Sequence, residues 1–279
     1  MKLFNKYLQE AFEAKSVLKV ITGIDNINIH QVTKMAKAAE LSNATYLDVS
    51  SNIKLIKFLK SFSSLPICVS SIDPVDIYNA LSSGVDIIEI GNYDFLYNQG
   101  IYLSKKQIIE LSKEIQCLAN NIDICVTVPY YLSIYEQVSL AQDLKNLGIN
   151  IIQTEGISKV HITDYPFNLI QSGSSFSNLH NSFIPSLFSA YIISQYVNVH
   201  IIASSGCKNI VGPISKFYGV SGIGIGSAVQ EQDSILRMSK YIDETSKFLS
   251  GPSLVNSFTN TNNDLYQFFI LNHKELLYT

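Results

Sequence analysis

The chain of 279 residues carries 20 Lys and Arg against 23 Asp and Glu, a formal charge of -3 at pH 7, and 47% of it is hydrophobic. That balance, with Arg237 the sole arginine, excludes a basic nucleic-acid footprint and leaves little scope for bidentate phosphate or base recognition. No apolar run reaches the ~18 residues that span a bilayer, whereas the length suits one (β/α)8 barrel of ~250 residues with a large core.

The first eighteen residues, amphipathic with acids among the lysines, read as neither a secretory signal nor a transit peptide. Apolar periodicity predicts a first helix over Leu3 to Ala14, then an eightfold alternation of strand and helix. The strands are expected at Leu18 to Thr22, Thr45 to Val49, Ile67 to Val69, Ile87 to Ile90, Ile124 to Val128, Ile151 to Thr154, His200 to Ala203 and Gly222 to Ile225. The helices between them fall at Ile29 to Leu41, Ile53 to Phe62, Pro74 to Ser82, Lys105 to Leu118, Ile134 to Leu147, Phe183 to Tyr196 and Ile210 to Phe217, with Ser234 to Phe248 after the last strand. Start signals support this register: Asp73 before Pro74, capping boxes at Ser104/Gln107 and Ser133/Glu136, and Asp233 before the final helix. Gly84 and Gly148 sit where helices stop. Residues 1–250 are therefore read as a single (β/α)8 TIM barrel with an N-terminal helix, and 251–279 as a C-terminal tail: a flexible link, then a docked or partner-binding "LYQFFIL".

Two loops carry the strongest functional signal. "IIASSGCKN" (Ile201 to Asn209) and "GIGIGSAV" (Gly222 to Val229) have the spacing of the last two βα turns of a phosphate-binding barrel. Their glycines let backbone approach a ligand and their amides converge on an anion near a short helix N-terminus, which makes Ser205, Gly206, Gly224, Gly226 and Ser227 the candidate phosphate-binding residues. The competing reading is that three glycines in one strand ease close packing.

Catalytic candidates follow from position, because barrel chemistry sits at strand C-termini. Lys19, inside the apolar "VLKVIT", is costly to bury unless it pairs with a carboxylate or phosphate, and desolvation would depress its pKa toward Schiff-base or general-acid use. Asp48, Glu89 and Glu155 lie at the ends of the second, fourth and sixth strands, where they could share proton transfer with Lys19 or hold magnesium. Thr22, Ser50, Ser70, Asn92, Thr127 and Thr154 could line a polar mouth or cap helices. Asp25, Asp73 and Asp94 read as cap or turn residues. The five histidines form no zinc spacing, and His161 alone lies in a loop with a route to the mouth. The four cysteines show no CxxC; Cys68 and Cys125 fall in apolar strands, and Cys207 follows Gly206. Glu155 to Asn178 is too long for an ordinary βα loop and reads as a lid carrying Tyr165 and Phe167, with Gly173 to permit movement.

"ITGIDN" (Ile21 to Asn26), "IEIGNYD" (Ile88 to Asp94), "VTVP" (Val126 to Pro129), "IQTEG" (Ile152 to Gly156), "ASSG" (Ala203 to Gly206) and "GIGIGSAV", in this order, resemble the family encoded by hypothetical chloroplast open reading frame 23, found in algal plastids and cyanobacteria. The resemblance implies an aldolase-type or ribulose-phosphate-binding barrel made in the plastid stroma. The function expected is an enzyme of isomerase, lyase or synthase type on a phosphorylated small molecule, its cofactor left open. FMN held by the same loops in an oxidoreductase, and a non-catalytic metabolite-binding or regulatory scaffold, remain as alternatives.

Overall fold

The computed structural model describes residues 2–91, 93–156, 183–205 and 219–250. The expected lid beyond Gly156, the seventh barrel helix, Gly206, Cys207, His161, Asn92 and the tail lie outside the described residues.

Eight parallel strands close into a barrel in sequence order. They are β1 (Val17–Ile21), β2 (Tyr46–Ser50), β3 (Ile67–Ser70), β4 (Ile87–Ile90), β5 (Asp123–Val128), β6 (Ile151–Thr154), β7 (His200–Ala203) and β8 (Gly222–Ile225). Around them lie α1 (Lys6–Glu13), α2 (Ile29–Glu40), α3 (Ile53–Lys60), α4 (Pro74–Leu81), α5 (Asp94–Tyr97), α6 (Lys105–Leu118), α7 (Ile134–Leu147), α8 (Ile184–Tyr196), α9 (Ser227–Gln230) and α10 (Ile235–Ser250). The strands are those read from the sequence to within one residue at either end. The helix signals act as expected: Asp73 accepts from the Val75 amide, both capping boxes close, and Gly148 ends α7 with a φ of 92°. For α10 the capping hydroxyl is Ser234, bonded to the Arg237 amide, rather than Asp233, which pairs with the Arg237 guanidinium.

The two-residue period of a strand divides its side chains between two cores. Outward residues such as Leu18, Val20, Leu47, Val49, Val69, Ile88, Val126, Ile152 and Ile223 pack under the helices. Inward residues at the beginning of the strands, Val17, Tyr46, Cys68, Ile87, Cys125, Ile151 and Ile202, form an apolar plug with Leu3, Leu8 and Phe12. Two residues further along, the inward position of the first seven strands turns polar: Lys19, Asp48, Ser70, Glu89, Thr127, Gln153 and Ser204, all buried. A dry bottom and a polar upper layer therefore share one barrel.

Helix α1 closes the bottom, and it is shorter than the Leu3 to Ala14 expected. Asn5 caps it by accepting from the Leu8 amide, which fixes its start. The preceding amides of Phe4 and Asn5 are spent on the carboxylate of Asp123, at 3.1 and 3.4 Å to Oδ2, while its Oδ1 accepts from Asn150 Nδ2 at 2.6 Å. Burial pushes the Asp123 carboxyl up, and these donors partly counter it. Replacing Asp123 with Ala should cost about 2–3 kcal/mol, because two amides and an amide side chain lose a charged acceptor. Urea melts measure that loss. Hydrogen exchange should rise in residues 4–13 and stay unchanged in α6 and α7.

Candidate ligand site at the C-terminal mouth

Lys19 projects into the barrel and meets three acceptors brought by three other strands. Its Nζ lies 2.9 Å from Asp48 Oδ2, bonds Glu89 Oε2, and donates to Gln153 Oε1 at 2.9 Å. Glu89 Oε1 accepts from Gln153 Nε2 at 2.7 Å and from Thr127 Oγ1 at 3.2 Å, while Asp48 Oδ1 accepts from Ser70 Oγ at 2.6 Å. The strand register makes these meetings possible: Lys19 pairs with Tyr46 and Ile21 with Asp48, so the Asp48 side chain rises beside the ammonium.

The electrostatics follow from one cation against two carboxylates in a place without water. Burial by itself lowers the Lys19 pKa, but Asp48 and Glu89 together outweigh it and hold the ammonium well above its ordinary 10.5. The shift of Lys19 is thus upward, not the depression expected from desolvation alone, because the two carboxylates outweigh burial. Glu89 is raised from its ordinary 4.5, chiefly by burial and with a contribution from Asp48, against the opposing pull of Lys19. Burial of Glu89 thus favours its protonated form. Ser70 and Thr127, which could have capped helices, hydrogen-bond these carboxylates instead. Thr22 Oγ1 donates to the Asp48 carbonyl. Thr154 faces outward to Ser186.

Glu155 does not join this group. Its Oε1 accepts the Tyr97 hydroxyl and, at 3.1 Å, the Tyr130 amide, among tyrosines 93, 97, 102, 130 and 131 at the β4 to β6 end of the mouth. Burial and the Glu155 charge push the Tyr97 hydroxyl far up, so it stays a donor. The magnesium site imagined from Asp48, Glu89 and Glu155 is not assembled: Lys19 holds the first two and Tyr97 faces the third. Among the described residues no group of three His, Cys, Asp or Glu is placed to hold a metal ion.

At the β7 and β8 ends, Ser205 adopts a φ of 72°, a left-handed conformation rare for serine. Gly226 leads into the short helix α9, which no side chain caps, so the first-turn amides of Ser227 and Ala228 have no intrahelical acceptor. Gly224 sits lower, beside Lys19 in the β1–β8 register. A Cβ there would come within 2.8 Å of Ser204 Cβ and 2.9 Å of Ile21 Cδ1, so packing, not approach to a ligand, accounts for this glycine. Gly222 is likewise closed off by Val17.

Sequence reasoning missed Gln153, Tyr97 and α5. Gln153 was legible in principle, because it lies two residues before Glu155 and so shares its face of β6. Tyr97 belongs to a four-residue helix too short to leave a periodic trace.

The family model described as "Protein of unknown function (DUF561)" matches residues 3–254. The chain belongs to this family. "Uncharacterized protein ycf23" of Antithamnion sp. is 43% identical over 248 residues, 88% of each chain. The protein of that name in Cyanophora paradoxa is 35% identical, covering 87% of this chain and 96% of that one. Among solved structures, (S)-3-O-geranylgeranylglyceryl phosphate synthase from Thermoplasma acidophilum superposes with a TM-score of 0.60 at 11% identity, over 90% of this chain and 99% of that one. Thiamine phosphate pyrophosphorylase from Pyrococcus furiosus gives 0.54 at 17%, over 85% and 96%. At these identities the likeness establishes the barrel alone.

Lys19→Met leaves two buried carboxylates without their cation, which should cost about 3–5 kcal/mol. Glu89, already raised by burial, then loses the opposing pull of Lys19 and stays above its unfolded pKa, so the variant should be most stable below the ordinary carboxylate range and lose stability as pH rises through the raised Glu89 value. Thermal melts across pH 4 to 8 measure this. Adding Glu89→Gln, which removes one of the stranded charges, should restore part of the loss at pH 8 and little of it at pH 4.

Proposed function

We propose that this barrel binds a phosphorylated small metabolite at its C-terminal mouth and carries out isomerase, lyase or synthase chemistry on it. The observation that carries the reading is the uncapped start of α9 at the end of β8, next to the strained Ser205 at the end of β7. First-turn amides with no acceptor among the described residues, the positive end of a short helix and small side chains suit an anion. In barrels this pair of loops with a short extra helix commonly holds a phosphate. The phosphate is assigned to Ser205, Gly206, Gly226 and Ser227, with Gly224 removed to a packing role. The names of the structural neighbours include phosphorylated substrates, among them sn-glycerol-1-phosphate in the Thermoplasma acidophilum complex, which agrees with this reading.

Proton handling is assigned to Glu89, the carboxyl pushed toward protonation. Lys19 and Asp48 act as positioning residues: the ammonium is committed to its partners and keeps Asp48 beside Glu89. Glu155 with Tyr97 forms a second carboxyl-hydroxyl pair nearer the solvent, placed to touch the end of a ligand remote from the phosphate. The algal relatives support a plastid setting, and we place the protein in the stroma; among the described residues no helix is long and apolar enough to cross a membrane.

Native mass spectrometry of the purified protein should show a co-purifying organic phosphate. Only apo mass, from cells rich in such metabolites, would count against the reading, and a yellow protein with flavin absorbance would redirect the same loops to FMN. Ser227→Glu supplies the sharper check. A carboxylate in the first turn of α9 favours the helix dipole, so melting temperature should hold or rise slightly, while repulsion at a few ångströms should weaken inorganic phosphate binding by about tenfold or more.

A further inference from the structure

Among the described residues three buried polar atoms of β2 lack a hydrogen-bond partner: the Tyr46 hydroxyl, enclosed in the apolar plug below, and two nearer the mouth. Those two are the hydroxyl of Ser50 and Oδ2 of Asp48. Asp48 Oδ2 has the Lys19 ammonium 2.9 Å away as an ionic neighbour, but not in hydrogen-bonding alignment. Ser50 has no such neighbour, although it is only 2% exposed. The hydroxyls that could have met it are spent elsewhere: Ser70, opposite it on β3, donates to Asp48 Oδ1, and Thr22 donates to the Asp48 carbonyl. Leaving a buried hydroxyl without a partner is destabilising.

Alternation along β2 sets the direction. Asp48 points inward, so Ser50 points inward as well, one level nearer the mouth. The two atoms form a vertical pair: a charged acceptor below, and above it a hydroxyl that can donate or accept. They face a barrel interior whose opposite polarity lies at the ends of β7 and β8. From β8 across β1 to β2 is two strand spacings, about 10 Å. A phosphate on the α9 amides and a hydroxyl at Ser50 would therefore be the two ends of a short molecule.

We propose that Ser50, above Asp48, is a binding residue for a hydroxyl of the ligand, and that the substrate is a short-chain hydroxylated phosphate ester. This rests on the phosphate reading above and adds the identity of the other end. Asp48 Oδ2, as a charged acceptor, selects a donating group and disfavours an anionic carboxylate at that end.

The experiment is a calorimetric titration of wild type, Ser50→Ala and Ser50→Thr with three probes: inorganic phosphate, propyl phosphate and sn-glycerol 1-phosphate. Propyl phosphate has the same chain length without the hydroxyls. Wild type should bind glycerol phosphate about fivefold to tenfold more tightly than propyl phosphate, the worth of one good hydrogen bond. In Ser50→Ala that ratio should fall to near one with inorganic phosphate binding unchanged, and Ser50→Thr should keep it. Ligand-free Ser50→Ala should melt a few degrees higher than wild type, since it loses an unsatisfied buried hydroxyl. Equal binding of the two esters by wild type, a preference that survives in Ser50→Ala, or a lower melting point for that variant would overturn the subsite while leaving the phosphate reading intact. Failure of all three probes to bind would overturn both.

Discussion

A lysine ammonium in the dry interior of a closed barrel is the constraint on which the upper half of this structure depends. Charge cannot stay there uncompensated. Asp48 and Glu89 supply the compensation, but two carboxylates bring more lone pairs than one ammonium can satisfy. Ser70, Thr127 and Gln153 meet that second demand. Space is then allotted around them: a Cβ at Gly91 would lie 2.1 Å from Thr127 Oγ1, so the turn after β4 stays bare to let that hydroxyl reach Glu89. Each step follows from the one before, and the first is a single residue on β1.

Such a network is a poor way to stabilise a fold. Desolvation consumes most of what the ion pairs return, and well-packed apolar side chains of the same volume usually do as well or better. The lower half of the same barrel shows that the chain has that option, with Val17, Tyr46, Ile87, Ile151 and Ile202 packed on α1. The division runs the same way in the strands: apolar at the inward position near the start, polar two residues later. Helix α1 seals the end where nothing needs to enter, and the polar layer faces the end where the loops converge.

The fold was largely legible because its signals are local. Short β-branched runs, Asn, Ser and Asp caps, and Gly148 after α7 each act within a few residues, and they placed the strands almost to the residue. The site was legible in part. That Lys19 needs a carboxylate follows from its setting, and of the three carboxylates considered Asp48 and Glu89 are its partners while Glu155 turns to Tyr97. The direction of its pKa did not follow, because burial alone points downward and only two carboxylates arriving together reverse it. Gln153 is 134 residues from Lys19 along the chain, and their contact exists only once the barrel has closed. Gly224 meets the same limit: a glycine before a phosphate loop and a glycine making room for Ser204 and Ile21 look alike until the neighbouring strands are present.

The arrangement gives the mouth a direction. Backbone donors gather at the ends of β7 and β8, while unspent acceptor capacity and the Ser50 hydroxyl lie on β2, with Glu155 and its tyrosines at β6. A ligand with one anionic end and one hydroxylated end fits such a field in one orientation and is repelled in the other. Orientation of that kind is what an acid-base carboxyl such as Glu89 needs, since a fixed proton donor or acceptor acts on whichever atom is held above it. The fully buried position of Glu89 does not oppose this role. Removal from water raises its pKa from the ordinary carboxylate value, against the opposing pull of Lys19. Lys19 and Gln153 hold its two oxygens in place from β1 and β6, so its orientation is set by strands on either side.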